Sequence, residues 1–143
     1  MSTDWKVVRI NDTFSFQIPP LVIEVEGRSV DSYSRYWKGD DITINFDYGR
    51  FSDPLTLYSR KNSYQITNEK INNYSARIVS FQRENGWNFI GVHFQALGKN
   101  KFDQIIKLTL VVETGPKIDK EIGSRIIKSI RLHQQHSFNE CTI

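Results

Sequence analysis

The chain has 143 residues, 19 Lys and Arg against 16 Asp and Glu, a formal charge of +3, 38% hydrophobic and 13% aromatic residues, eight Gly, four Pro and one Cys. A chain of this size buries roughly 68–70% of the surface it exposes when unfolded, enough for one self-sufficient domain without disulfide or metal staples. The glycine count, turn punctuation and aromatic content exclude collagen, coiled-coil and disordered classes, and the mild charge, spread from Lys6 to Arg131, speaks against a dedicated nucleic-acid binder.

The expected unit is a single α+β domain over residues 1–132 with a frayed tail at 133–143. The N-terminal stretch carries Asp4 and Lys6 and has no apolar leader, and no run approaches the roughly 20 residues of a membrane span. A lone Cys141 has no partner for a disulfide and sits one position too late for prenylation. The expectation is a cytoplasmic protein without membrane contact.

Phe14, Phe16 and Ile18 alternate with Ser15 and Gln17 before Pro19-Pro20 ends the run, the pattern of a half-buried strand. Leu21 to Glu26 is ambiguous. Ser32 to Lys38 and Asp41 to Tyr48 flank Gly39-Asp40 as a hairpin, which would set Trp37 opposite Ile42, Arg35 opposite Ile44 and Tyr33 opposite Phe46. Gly49 to Asn62 reads as a loop with one helical turn after Pro54, and Tyr64 to Ile71 as a weak strand.

Ser75 to Glu84 and Trp87 to Ala96 surround Asn85-Gly86, a strong hairpin signal. With Glu84 opposite Trp87, Phe81 would face Ile90, Val79 would face Val92 and Arg77 would face Phe94. Ile78 with His93 and Ser80 with Gly91 would share the other side. Ile106, Leu108, Leu110 and Val112 then alternate in a further strand closed by Gly115-Pro116. Ile118, Ile122, Ile126, Ile127 and Ile130 recur at helical spacing, with Asp119 available to cap and Lys117, Lys120, Arg125, Lys128 and Arg131 on a solvated face. The interior Gly123 costs about 1 kcal/mol against Ala unless close packing needs it. The fold expectation is an antiparallel sheet of about six or seven strands with a C-terminal amphipathic helix on one face.

Catalytic chemistry has no foothold in the sequence. No nucleophile elbow or catalytic-type Cys accompanies His93, which reads as a packed sheet histidine, while His133 and His136 fall in the tail. One Cys and scattered His residues give no zinc spacing; of Asp40, Asp41 and Asp47 the first two sit in a turn, where Asp is common for backbone reasons, and no twelve-residue calcium-loop pattern follows. No phosphate-cradling glycine loop is present. No catalytic residue, metal or cofactor is therefore assigned.

The feature that stands out is the density of aromatic and arginine residues at Tyr33, Arg35, Tyr36, Trp37, Tyr48, Arg50 and Phe51, continuing past Asp47 and Asp53 to Tyr58 and Arg60. Such residues are common at binding hot spots. Arg35 falls on the apolar face of its strand, where a guanidinium must find a carboxylate, carbonyls or a ligand anion, or reach the edge.

The run Thr13-Phe14-Ser15-Phe16-Gln17-Ile18-Pro19, the hairpin-rich middle and the closing Ile126-Ile127-Lys128-Ser129-Ile130-Arg131-Leu132 resemble the Mog1/PsbP-like group of small α+β domains. That resemblance implies non-enzymatic binding, since the group includes an extrinsic subunit of the photosynthetic oxygen-evolving complex and a binder of a nuclear-transport GTPase. It implies no particular partner-binding residues here. The sequence thus points first to a non-catalytic adaptor that binds another protein through Tyr33, Arg35, Tyr36, Trp37, Asp47, Tyr48, Arg50, Phe51 and Asp53, with homodimerisation open. The alternatives are a small enzyme or carrier with an anionic or aromatic ligand in an Arg/aromatic-lined pocket, and a nucleic-acid binder.

Overall fold

The computed structural model describes residues 4–10, 13–20, 22–25, 33–49, 52–99 and 102–133, apart from the side chain of Tyr33. In chain order the elements are β1 (Lys6–Ile10), β2 (Phe14–Ile18), β3 (Ile23–Val25), β4 (Tyr33–Gly39), β5 (Ile42–Gly49), β6 (Asn62–Ile71), β7 (Tyr74–Gln82), β8 (Asn88–Lys99), β9 (Ile105–Thr114), α1 (Glu121–Lys128) and β10 (Arg131–Leu132). Seven strands form one antiparallel sheet in the order β3-β4-β5-β9-β8-β7-β6, and three form a second in the order β1-β2-β10. The molecule is α+β and strand-dominated. None of its helices, among the described residues, is long and apolar enough to cross a membrane.

The second sheet departs from the expectation of a single one. Its partners for β2 are β1, whose outer residues are mostly exposed, and the two-residue β10, neither of which carries enough alternation to declare itself in sequence. This pairing brings the opening Phe14–Ile18 run against the segment that follows the helix, with Ser15 opposite Arg131 and Phe14 opposite Leu132. At His133, the first residue of the expected tail, the backbone N–H donates to Thr13 O at 3.0 Å. The rest of that tail lies outside the described residues.

One face of the large sheet, here the inner face, packs against β2 and α1. Phe14 meets Phe46 edge-on at 5.1 Å between centroids, and Phe16 meets Trp37 at 5.4 Å. Ile126, Ile127 and Ile130 close the other half of this layer over Leu108, Leu110 and Val112. Asp119 Oδ1 accepts the Glu121 N–H at the start of α1. On the outward side of α1, Arg125 lies over the Trp5 ring at 3.7 Å, a cation–π contact that anchors the helix to the N-terminal segment. Gly123 has its packing reason, since a Cβ there would stand 2.7 Å from Ile90 Cγ2.

Both hairpin registers differ from expectation, with unequal consequences. Between β4 and β5 the turn is Asp40-Asp41, with Asp41 at φ 67° and Gly39 opposite Ile42. Trp37 therefore faces Ile44, Arg35 faces Phe46 and Tyr33 faces Tyr48. The Asp41 carbonyl accepts the Gly115 N–H, and its carboxylate accepts the Lys117 N–H, so the turn is set by its ties to the β9 exit. The shift is two residues, and every side chain keeps its face.

Between β7 and β8 the loop has three residues, Glu84 to Gly86, closed by the Arg83 N–H donating to Trp87 O. Gly86 takes φ 92°, the left-handed position that ends a three-residue hairpin loop. Phe81 therefore faces Phe89, Val79 faces Gly91, Ile78 faces Val92 and Arg77 faces His93. A slip of one residue reassigns every cross-strand neighbour. The expected helical turn after Pro54 is also absent, because Leu55 sits at φ 59°.

Candidate functional site

Alternation along β4 and β5 divides the sequence-selected residues between two faces. Trp37 points inward and is 3% exposed, within the aromatic core. Tyr48 lies half-buried on the same face, stacked on Phe14, and burial pushes its hydroxyl above the usual tyrosine range. Arg35 also points to this side, where its fork donates to both carboxylate oxygens of Glu24 at 2.6 Å and its guanidinium lies 5.1 Å from the Trp37 ring centroid. The hydrogen bond from Arg35 holds the Glu24 carboxyl below its ordinary range. The guanidinium thus found a carboxylate on the adjacent edge strand.

Tyr36 and Asp47 point to the outer face, each half-buried. Tyr33 is described only in its backbone pairing with Tyr48, and Arg50 and Phe51 lie outside the described residues. Asp53 is structural: Oδ1 accepts the Leu55 N–H, Oδ2 accepts the Tyr58 hydroxyl, and its carbonyl accepts the Thr109 hydroxyl. Burial and the Asp53 carboxylate together raise the Tyr58 pKa.

The outer face carries an arrangement that only register reveals. Ser34, Asp47, Thr109, His93, Arg77 and Asn68 stand opposite one another in turn, forming a polar row across six strands from β4 to β6. The segment 52–58 crosses this face beside the row. Leu55 is buried against Val79, Phe81 and Phe89, and the Pro54 carbonyl accepts from Arg77 at 2.6 Å.

Thr109 is the joint between segment and row. Its hydroxyl proton is given to the Asp53 carbonyl at 2.5 Å, so its oxygen accepts from His93 Nδ1 at 2.8 Å. That assignment puts the imidazole proton on Nδ1 and leaves Nε2 an acceptor. Burial, reinforced by Arg77 and Lys107, lowers the His93 pKa to about 4, so the ring is neutral at ordinary pH.

Among the described residues the row ends at β6, an edge of the large sheet with no further strand paired to it, where ten residues are almost all exposed. The β6–β7 turn is Asn72-Asn73 with φ values of 56° and 71°, a two-residue loop of type I′. Such a loop makes Ile71 and Tyr74 a doubly hydrogen-bonded pair, and the antiparallel alternation then aims the N–H and C=O of Ile66, Asn68 and Lys70 away from β7.

Grooves lie along this edge on both faces. On the inner side a groove of about 320 Å³ runs between the sheet and the start of α1, with Ser63, Gln65, Ser80, Asn88 and Ser124 among its walls. On the outer side one of about 370 Å³ has Asn68, Glu69, Lys70, Arg77, His93 and Gln95 among its walls. At the start of β6 a third, of about 520 Å³, holds Arg60, Lys61, Asn62 and Arg83. Arg83 is already engaged, both nitrogens of its fork donating to Glu113, which raises its pKa. Sequence reasoning passed over β6 because its polar alternation resembles any exposed strand. The one available signal was the Asn72-Asn73 pair that closes it.

No family model matches the chain, and no curated protein matches it. Five chains of solved structures do. One, from Bacteroides thetaiotaomicron VPI-5482, is 12% identical with a TM-score of 0.49, the match covering 86% of this chain and 46% of that one. The chain therefore spans less than half the length of that protein.

Proposed function

We propose that this protein is a non-catalytic binding domain that takes up an extended segment of another polypeptide along the edge of β6. The observation that carries the reading is an exposed ten-residue edge strand flanked by grooves on both of its faces. A strand added to a sheet edge gains affinity from main-chain hydrogen bonds and specificity from pockets that receive alternate side chains. Here the main-chain groups of Ile66, Asn68 and Lys70 would supply the first, and the two grooves the second. Among the described residues the opposite edge, β3, has three residues, against ten in β6.

Exposed edges invite aggregation, and this one is guarded by a register irregularity between Asn62 and Gln65 and by the charged pair Glu69 and Lys70. The stretch from Ile66 to Lys70 remains for regulated pairing. The class of function implied by the Phe14–Pro19 resemblance, binding without catalysis, agrees with this reading, although the surface differs from the Tyr33–Asp53 region.

The test uses peptides selected on the wild-type domain from a displayed random library. Asn68→Pro removes one outward N–H without touching the β6–β7 ladder, a position where edge strands tolerate proline. Selected peptides should lose at least tenfold in affinity for Asn68→Pro at unchanged Tm, and amide shifts on binding should centre on Ile66, Asn68 and Lys70. Binding indifferent to the proline, shifts centred on Ile23, Val25 and Tyr36, or a failure to select any peptide would overturn it.

A further inference from the structure

We infer that the segment β6 accepts is acidic, with carboxylates toward both ends of a stretch of about nine residues; this rests on the strand-addition reading above. Cations gather at the two ends of the edge. Arg60 and Lys61 line the groove at its start, and Lys70 and Arg77 line the outer groove near its finish. Among the described residues, none of these four is paired with a carboxylate. At roughly 3.3 Å per residue, Lys61 and Lys70 stand about 30 Å apart along the strand.

The nearby acids do not cancel this pattern. Glu113 is held by Arg83, and Asp53 is occupied by the Leu55 N–H and the Tyr58 hydroxyl. Glu69 stands opposite Ala76, lines the outer groove as well, and accepts from the Thr67 hydroxyl, so it offsets one of the two cations there. Glu84 remains in the groove at the hairpin tip, beside Arg60 and Lys61. In the outer groove Lys70 and Arg77 outnumber Glu69 and leave it positive, and the depressed pKa of His93, to which Arg77 contributes after burial, is consistent with it.

The same charges argue against a second copy of this chain as the occupant. Antiparallel pairing of β6 with itself would bring Lys70 and Arg77 of one copy against Arg60 and Lys61 of the other, and parallel pairing would set like against like at each end. A nucleic-acid strand is less well matched, because the rings of Tyr58, Phe81 and Phe89 are packed together in the outer cluster instead of standing free to stack bases.

The experiment measures fluorescence anisotropy with three acetylated nine-residue Ser/Thr/Val peptides. One has Asp first and Glu last, one has Asn and Gln there, and one has Lys at both ends. A labelled oligothymidylate forms a fourth arm. The acidic peptide should bind wild type about tenfold tighter than the neutral one, and the lysine peptide weakest. Lys61→Gln with Lys70→Gln, both exposed positions, should bring the acidic and neutral peptides to within about twofold at unchanged Tm.

Equal binding of all three peptides, still lost in Asn68→Pro, would overturn the acidic preference and leave strand addition standing. Binding of none of them would overturn the inference together with its premise. Oligothymidylate binding as tight as the acidic peptide, and unaffected by Asn68→Pro, would replace both with a general polyanion surface.

Discussion

The two faces of the large sheet are built from the same strands and spend their side chains differently. The inner face is a continuous apolar layer in which Phe14, Phe16, Trp37 and Phe46 interlock under β2, and three isoleucines seal the rest under the helix. The outer face interrupts a smaller apolar cluster with a polar row, and satisfies that row through a crossing segment whose carbonyls act as acceptors. The inner face stabilises by area removed from water, whereas the outer face depends on a few directed hydrogen bonds that must all be made. Grooves accordingly open where the outer polar row and the uncovered end of the inner face meet the β6 edge.

The largest effect that would test this division is Phe46→Ala. Phe46 is fully buried among three aromatic rings, and its truncation should cost about 3–5 kcal/mol of unfolding free energy by chemical denaturation. A loss under 1 kcal/mol would mean that the inner layer is loosely packed and the contrast between faces is false.

The outer face should instead reveal itself through pH. His93 titrates near 4 in the folded protein against 6.5 when free, so between those values the unfolded chain binds the proton and the folded chain does not. Stability should therefore fall as pH drops from about 6.5 to about 4, by roughly 3 kcal/mol at most, and His93 should contribute no further change below that. His93→Gln should flatten this part of the stability profile. An unchanged slope in that variant would place the titration elsewhere.

The smallest effect sharpens the inner side, through opposing terms at one residue. Helix propensity alone favours Gly123→Ala by about 1 kcal/mol, whereas the 2.7 Å approach to Ile90 predicts overpacking worth about 1–3 kcal/mol. Net destabilisation of about 1 kcal/mol is expected, and a gain in Tm would show that α1 can lift from β8 without cost.

Much of the fold was legible because alternation and helical spacing are local. The β5, β8 and β9 strands and the amphipathic α1 all follow from residues read in order. Arg35 was legible in need but not in answer: its position on the apolar side required a partner, and Glu24 came from a three-residue strand too short to declare itself. The aromatic density from Tyr33 to Phe51 does not by itself separate a core from an interface, for a physical reason. A tryptophan or phenylalanine on a strand fills a core as readily as it caps an interface, and Trp37 fills the core.

By itself, the sequence determined which segments alternate, where turns break them, and that one helix would close an antiparallel sheet, since these depend on near neighbours along the chain. Tertiary structure alone decided the registers, the split into two sheets, the row from Ser34 to Asn68 and the grooves on either side of β6. A shift of one residue in a three-residue hairpin loop changes every neighbour across the strands. Six polar residues scattered over the sequence become one row only when all five of those pairings are set together.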